Sequence, residues 1–408
     1  MDAAGRQVGW WNRSLILVVA GGIVMGLALG VRHAQGIFQV PITMDRGWSR
    51  ETFGFAIALQ NLVWGLAQPF TGMIADRYGS MRVIAVGLLL YGVGLFLMAY
   101  AVTPFEFTLT AGVCIGIALS GTSFGVVYGA LSRMVAPERR SWALGMAGAV
   151  GGLGQFFMVP MVQGLISGLG WIGALMALAA VCGLLLPCAL PLRDRPAVPT
   201  VKEQSLRAAL GEAFRHRGFW LLNLGFLACG FQLAFIAAHL PAYLLDKGLT
   251  ANDAVAGLAI IALTNVFGTY YCGLFGGLFR RKHLLCGIYL MRSLVMALFV
   301  LLPLTTWSLY MFCAVMGFIW LGTAPLTNGL VSQVFGVRYV TTLFGFVFFG
   351  HQLGAFFGVW LGGLVFDATH SYDLIWFVGI ALGVVAAALH YPINDREIVR
   401  SMLAGAAA

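Results

Sequence analysis

The feature that most restricts this 408-residue chain is a succession of apolar runs separated by short polar breaks. Each run reaches about 20 residues or more, enough for a helix to cross a hydrocarbon core of roughly 30 Å. Backbone groups in lipid must be satisfied internally, so spanning segments are helices or closed barrels. A barrel would show ten-residue stretches of strict alternation, and the runs here are continuous. Read between the breaks, they predict twelve helices at about 14–42, 53–75, 83–102, 105–135, 141–169, 171–191, 219–246, 251–279, 283–303, 306–335, 339–367 and 372–392. Composition agrees: 10% of residues are charged, against about 25% in a soluble domain, and mean hydropathy is +0.89. The expected fold is an all-α membrane protein with twelve transmembrane helices in two pseudo-symmetric six-helix bundles.

Many of the 54 glycines lie inside the apolar runs, as do Gly145, Gly148, Gly151 and Gly154. Small residues there let membrane helices approach closely. The seven cysteines also sit in apolar segments without ligand spacing, which predicts buried thiols, no disulfide framework and no metal site. The first run starts near Ser14 after Arg6 and Arg13 and is read as a spanning helix, not a cleaved signal.

Charge sets the expected orientation. All but five of the 24 Lys and Arg fall at the termini and in the breaks on one side; the exceptions are Arg46, Arg50, Lys247, and Arg32 and Arg292 inside helices. The positive-inside rule then places both termini and the long central loop in the cytoplasm, with the chain in the cell (inner) plasma membrane. The net charge of +9 follows from these loops, and its scatter along lipid-flanking segments predicts no nucleic-acid partner.

The second half echoes the first at an offset near 200 residues. Pro41-x3-Asp45-Arg46-Gly47-Trp48-Ser49 recurs as Pro241-x4-Asp246-Lys247-Gly248-Leu249-Thr250, and Gly145, Gly154 and Phe156 recur as Gly345, Gly354 and Phe356. This duplication predicts an N-terminal bundle over 1–191, a cytoplasmic linker over 192–218 and a C-terminal bundle over 219–408. Parallel repeats with a site between them are a transporter design.

After the second run stands Gly72-x3-Asp76-Arg77-x-Gly79-x2-Arg82. It closely resembles the helix 2–3 loop motif of the major facilitator superfamily, G-x-x-x-D-R-x-G-x-x-R. In that reading Gly72 permits close approach, and Asp76 pairs with a cation or a helix N-terminus at the cytoplasmic gate. Arg77 and Arg82 hold the loop against its neighbours. The second-half loop, Gly276-Gly277-Leu278-Phe279-Arg280-Arg281-Lys282, keeps the basic cluster without the Asp. Arg139-Arg140-x2-Ala143-x-Gly145-x-Ala147 and Gly47-Trp48-Ser49-Arg50 are similar to segments of monocarboxylate porters and oxalate/formate exchangers. The sequence departs from those branches in lacking an arginine in helix 8 and a lysine in helix 11. The resemblance implies a secondary active transporter with a small-molecule substrate.

Charges within membrane helices are costly and mark function. Arg32 is the leading candidate, on a predicted polar stripe with Gln35 or Gly36, Gln39 and Thr43. No Asp or Glu lies mid-span, so an anionic substrate would supply its partner through paired hydrogen bonds. The alternative is an arginine satisfied by helix carbonyls or snorkelling outward. Arg292 is read as snorkelling or as an inter-helix tie. Gln60, Trp64, Tyr128, Asn265, Tyr270, Asn328 and Gln352 complete the predicted substrate-binding set with His239 and His351. His33, His239 and His351 are the coupling candidates, because imidazole titrates near neutrality; each is also read as a hydrogen-bonded packing residue.

The function expected is secondary transport of a small organic anion, a monocarboxylate above all, by alternating access with proton symport or anion exchange, in a monomer without cofactors. Efflux of drugs or amphipathic solutes is the second reading, and a non-transporting receptor or scaffold is a third, from another class. No G-x-x-x-x-G-K-[ST] loop supports an ATP-driven pump, and no H-E-x-x-H cluster supports an enzyme.

Overall fold

A computed structural model of the chain describes residues 3–48, 50–194 and 204–398, helical almost throughout and without a strand among those residues. The spans are α1 (Ser14–Phe38), α2 (Arg50–Tyr78), α3 (Ser80–Tyr100), α4 (Pro104–Met134), α5 (137–169) and α6 (171–184). After the linker come α7 (Arg217–Asp246), α8 (Ala251–Leu278), α9 (Arg281–Leu301), α10 (Thr306–Phe335), α11 (Val340–Thr369) and α12 (Asp373–His390). Twelve helices thus follow the twelve runs.

Local chemistry sets the boundaries. Thr103, Thr250 and Thr305 each accept a hydrogen bond from the third residue beyond, whose own side chain returns to the capping residue's N–H. These reciprocal caps satisfy donors that a helix start leaves open. Gly170 (φ 70°) splits α5 from α6, and Gly79 (φ 92°) separates α2 from α3. A side chain at either position would be strained.

The predicted loop over 192–218 differs from the structure. It contains a ten-residue helix, Leu206–Arg215, whose first turn is capped by the Ser205 hydroxyl accepting from Ala208 N at 3.2 Å. Its few apolar residues among arginines hid it in a reading based on long apolar runs; residues 195–203 of the linker lie outside those described. The stripe predicted on the first helix is also interrupted. Regular α-helix stops at Ala34, and a 3-10 turn, Gln35–Phe38, precedes a short helix, Gln39–Arg46. Pro41 has no N–H for the Ile37 carbonyl, so an unbroken α-helix could not pass this point without loss.

The repeat governs packing. Gly47 and Gly248, equivalent in sequence, both take positive φ (67° and 85°). Within the first half α1 lies on α5, where Gly26 meets Gly154; within the second α7 lies on α11, where Gly354 meets the Leu227 carbonyl. Across the halves α2 packs on α11, with Pro69 against Gly345, and α8 packs on α5, with Gly273 against Gly145. A methyl group at Gly145 would lie 2.6 Å from the Gly273 Cα, so the absence of side chains permits this contact.

Both fourth helices are discontinuous. In α4 a π turn, Thr108–Cys114, is followed by a break at Ser123 (φ −102°, ψ −164°). In α10 helix stops at Phe318 and resumes at Thr323. Beyond α12, Arg280 forms a two-point ion pair with Asp395, whose carboxyl is thereby held below its ordinary range. The sign follows: this stabilisation is complete above the ordinary carboxylate pKa and is lost as pH falls through the lowered value. Melting curves of wild type and Asp395→Asn should therefore differ at neutral pH and converge in acid.

Candidate functional site

Arg32, near the end of the regular part of α1, points across to α2. Its Nη2 donates to Asn61 Oδ1, and its guanidinium stands over the Trp64 ring with Cζ 5.3 Å from the centroid. The Trp64 indole N–H donates to Ser123 Oγ at 3.0 Å and to Gln68 Oε1 at 3.1 Å, and Gln68 Nε2 donates to the Ser120 carbonyl at 3.0 Å. The break in α4 is therefore held by α2, in line with the rule that irregular backbone inside a membrane protein needs local partners.

The second half closes on this cluster. Gln352 Nε2 donates to the Asn61 carbonyl at 3.4 Å, and Gln352 Oε1 pairs with His351 Nδ1 at 3.0 Å. The His351 ring stacks on Phe348 (5.4 Å, 6° between planes), and Phe348 lies 4.9 Å from the Trp64 ring. Arg32, Asn61, Trp64, His351 and Gln352 thus form one group where α1, α2 and α11 meet. Among the described residues Arg32 has no carboxylate partner, and its Nε is buried without a hydrogen bond. Gln35 is 1% exposed with both amide atoms unpartnered.

The other sequence candidates divide. Tyr128 is buried with its hydroxyl unpartnered, facing Gly148 beside Thr269 of α8. Asn328 Oδ1 accepts from Ser132 Oγ across the halves at 3.1 Å, while its Nδ2 has no partner. Asn265 Oδ1 accepts from Leu321 N and Thr269 Oγ1, both at 3.0 Å, and so holds the break in α10. Gln60 Nε2 is spent on the Ala111 carbonyl at 2.6 Å inside the first half. Tyr270 stacks edge-on with Tyr271, and its carbonyl faces Gly145. His239 is bonded to the Val359 carbonyl at 2.9 Å and packed against Phe235 and Tyr372, apart from the cluster. His33 is exposed beside Arg32 and is not joined to the cluster. The Gln39 side chain lies outside those described.

At the arginine-rich end the halves are sealed. Asp76 Oδ2 accepts from Thr342 N at 2.8 Å and Thr342 Oγ1 at 2.7 Å, at the first turn of α11. Asp76 Oδ1 pairs with Arg133 at 2.5 Å, Arg133 also pairs with Asp194 at 2.7 Å, and Asp194 accepts from Ser80 N at 2.6 Å. Arg133 Nη1 further donates to Thr341 Oγ1 at 2.9 Å. Asp76 is thus held by a cation, Arg133, and by a helix start, while Arg77 lies over the Tyr78 ring and Arg82 is exposed. Gly72 faces the Thr341 carbonyl, 2.7 Å from where a Cβ would stand.

The second half answers with opposite polarity: Arg281 donates to Ser141 Oγ at 2.6 Å at the start of α5 and also to Gln333 Oε1. In sequence Arg133 is one more basic residue at the end of an apolar run, and Asp194 one more residue of the linker. The repeat held the signal, since Arg133 aligns with Gln333 and Asp194 with Asp395 at offsets of 200 and 201. Toward the other end the contact stops. Gly54, seven residues beyond Asn61 on the same face of α2, has nothing within 4 Å, nor has Gly164 of α5. The Arg32 cluster therefore lies between the sealed end and this open stretch of α2 and α5.

The sequence pattern of the Major Facilitator Superfamily matches residues 14–359. The chain belongs to that superfamily. As a member it is a transporter and not an enzyme. It is 28% identical over 385 residues to human monocarboxylate transporter 11, covering 90% of this chain and 80% of that one. It is 23% identical over 371 residues to the oxalate:formate antiporter of Oxalobacter formigenes, covering 88% and 87%. Among solved structures, the superfamily transporter FucP in its outward conformation superposes with a TM-score of 0.70 at 16% identity, covering 92% of this chain and 97% of FucP. That likeness confirms the twelve-helix fold.

Proposed function

We propose that the protein is a secondary active carrier of a small organic monocarboxylate, bound by Arg32 at the closed end of a cleft between the halves and moved by alternating access. The observation that carries this reading is a central guanidinium whose protein partners, Asn61 Oδ1 and the Trp64 ring, are both neutral. A carboxylate could replace the Asn61 amide and supply two charge-assisted bonds where the protein supplies one neutral acceptor. Gln35, with two unpartnered buried amide atoms one turn away, is placed to orient the rest of a small ligand. The names of the relatives, a monocarboxylate transporter and an oxalate:formate antiporter, point to the same class of cargo.

In this reading the arginine-rich end and both termini are cytoplasmic, in the plasma membrane, and the cleft opens outward. The bundles 1–191 and 219–408 rock about the cluster as a monomer, with a proton or a counter-anion driving the cycle. The test is uptake into proteoliposomes of formate, acetate, lactate, pyruvate, oxalate and benzoate under an imposed pH or anion gradient. Saturable uptake of at least one, absent from protein-free vesicles, is expected. If none moves under either gradient, the reading is wrong.

A further inference from the structure

The second embedded cation, Arg292 of α9, is fully buried. Its Nε and Nη2 donate to the Ile319 carbonyl at 3.2 and 2.6 Å, and Nη2 also donates to the Trp320 carbonyl at 2.5 Å. These bonds tie α9 to the break in α10, so Arg292 is an inter-helix tie and not a snorkelling side chain. Carbonyl oxygens solvate a guanidinium without neutralising it, and an unneutralised buried charge is costly. Among the described residues no carboxylate pairs with Arg292. Its remaining donor, Nη1, meets Cys229 Sγ at 3.1 Å.

Cys229 is 1% exposed, and its sulfur also lies 3.3 Å from Thr323 Oγ1. The other groups around it are few. From α9 the fully buried Tyr289 hydroxyl, without a hydrogen bond of its own, faces the thiol. From α11 the His351 carbonyl packs on Gly230, the residue after Cys229, which sets its imidazole near the same sulfur. From α12 His390 stacks on Tyr289, with its Nδ1 on the Ala386 carbonyl at 2.7 Å and its Nε2 without a partner. From α8 Cys272 packs at Gly322, and from α10 only the neutral Thr323 approaches. The Cys229 and Cys272 thiols and the Tyr289 phenol are thus the groups able to become anions near Arg292. A thiol is intrinsically more acidic than a phenol, about 8.5 against about 10, and of the three Cys229 alone is hydrogen-bonded to the guanidinium.

We propose that Cys229, paired with Arg292 and reached from the cleft through His351, is the carrier's proton-binding site. This rests on the transport reading above and supplies its driving ion. In the release step the Cys229 S–H bond breaks and its electron pair stays on sulfur as a thiolate beside Arg292. The proton passes to His351 Nε2, which is free as an acceptor when Nδ1–H donates to Gln352 Oε1. The imidazolium then gives the proton to water in the cleft; loading is the reverse. His351 is joined through Gln352 to Asn61, and Asn61 holds Arg32. A carboxylate that draws Arg32 from Asn61 therefore disturbs the chain that ends on the thiol, which links the two sites.

Two measurements test this. The first needs no substrate: infrared difference spectra between neutral and acidic buffer, wild type against Cys229→Ser. The Cys229 S–H stretching band should be absent at neutral pH, appear on acidification and be missing in the variant. A band that persists unchanged into mildly alkaline buffer overturns the proposal. The second uses the carboxylate of the uptake panel that gives the largest flux. Cys229→Ser, almost the same size, should keep carboxylate exchange but lose pH-driven accumulation by about tenfold or more. Cys229→Asp should restore it with the pH profile displaced toward acid. Undiminished pH-driven accumulation in Cys229→Ser also overturns the proposal. A panel in which nothing moves defeats the transport reading and leaves the infrared result to decide the proton site.

Discussion

Arg32→Ala is expected to abolish carboxylate binding while leaving the fold intact. Removing the charged partner of a bound carboxylate costs about 2–4 kcal/mol, or roughly 30- to 700-fold in affinity. Thermal denaturation with ligand reads this directly. A carboxylate at about 100 times its Kd should stabilise the wild type by roughly 2.7 kcal/mol, and Arg32→Ala should show no such gain at the same concentration. Arg32→Lys keeps the charge and loses the planar fork, so an intermediate loss is expected. Without ligand the variant should melt close to wild type or slightly above it, because an unneutralised buried cation has been removed. A full ligand-induced gain in Arg32→Ala would remove Arg32 from the site.

The second large effect belongs to the seal. Arg133 lies between Asp76 and Asp194, with 9% of its side chain exposed against 1% and 2% for the two acids. Arg133→Ala strands two buried carboxylates, and breaking such a group costs about 3–5 kcal/mol. The cost falls on the state in which α2 and α4 are clamped to the start of α11, since an opened end lets water reach both acids. A shift of that size moves a two-state equilibrium by roughly two to four orders of magnitude, so the population should move toward a form open at the arginine-rich end. Spin labels at Arg82→Cys and His283→Cys, both exposed at that end, report it by double electron–electron resonance. A longer distance in Arg133→Ala than in the parent is expected. An unchanged distribution means that the seal does not control the equilibrium.

The fold could be read because lipid leaves a chain few options. Twelve runs of sufficient length, a glycine turn repeated at Gly47 and Gly248, and one loop motif were enough to define twelve helices in two related halves. Arg32 was legible for the same reason, as a charge where charges are costly. What stayed hidden depended on long-range partners. Nothing near Arg133 in sequence says that it reaches Asp76, 57 residues away, or that Asp76 reaches Thr342, 266 residues away. His239 resembled a site residue as a titratable group within an apolar run, and it bonds a backbone carbonyl among aromatic rings. Asn61, one polar residue among several in the second run, becomes the residue that joins Arg32 to Gln352. Cys229 looked like any small buried thiol until the fold set Arg292 against it.

The neutral surroundings of Arg32 also bear on what the membrane potential can do. Moving one elementary charge through 100 mV is worth about 2.3 kcal/mol. An empty carrier bears the Arg32 charge, with the Cys229 thiolate balancing Arg292; a carrier loaded with a carboxylate on Arg32 and a proton on Cys229 bears the Arg292 charge instead. The net charge would then be the same on both journeys, and voltage would act on the two alike. The chemical gradients of proton and carboxylate alone would set how far the cargo is concentrated.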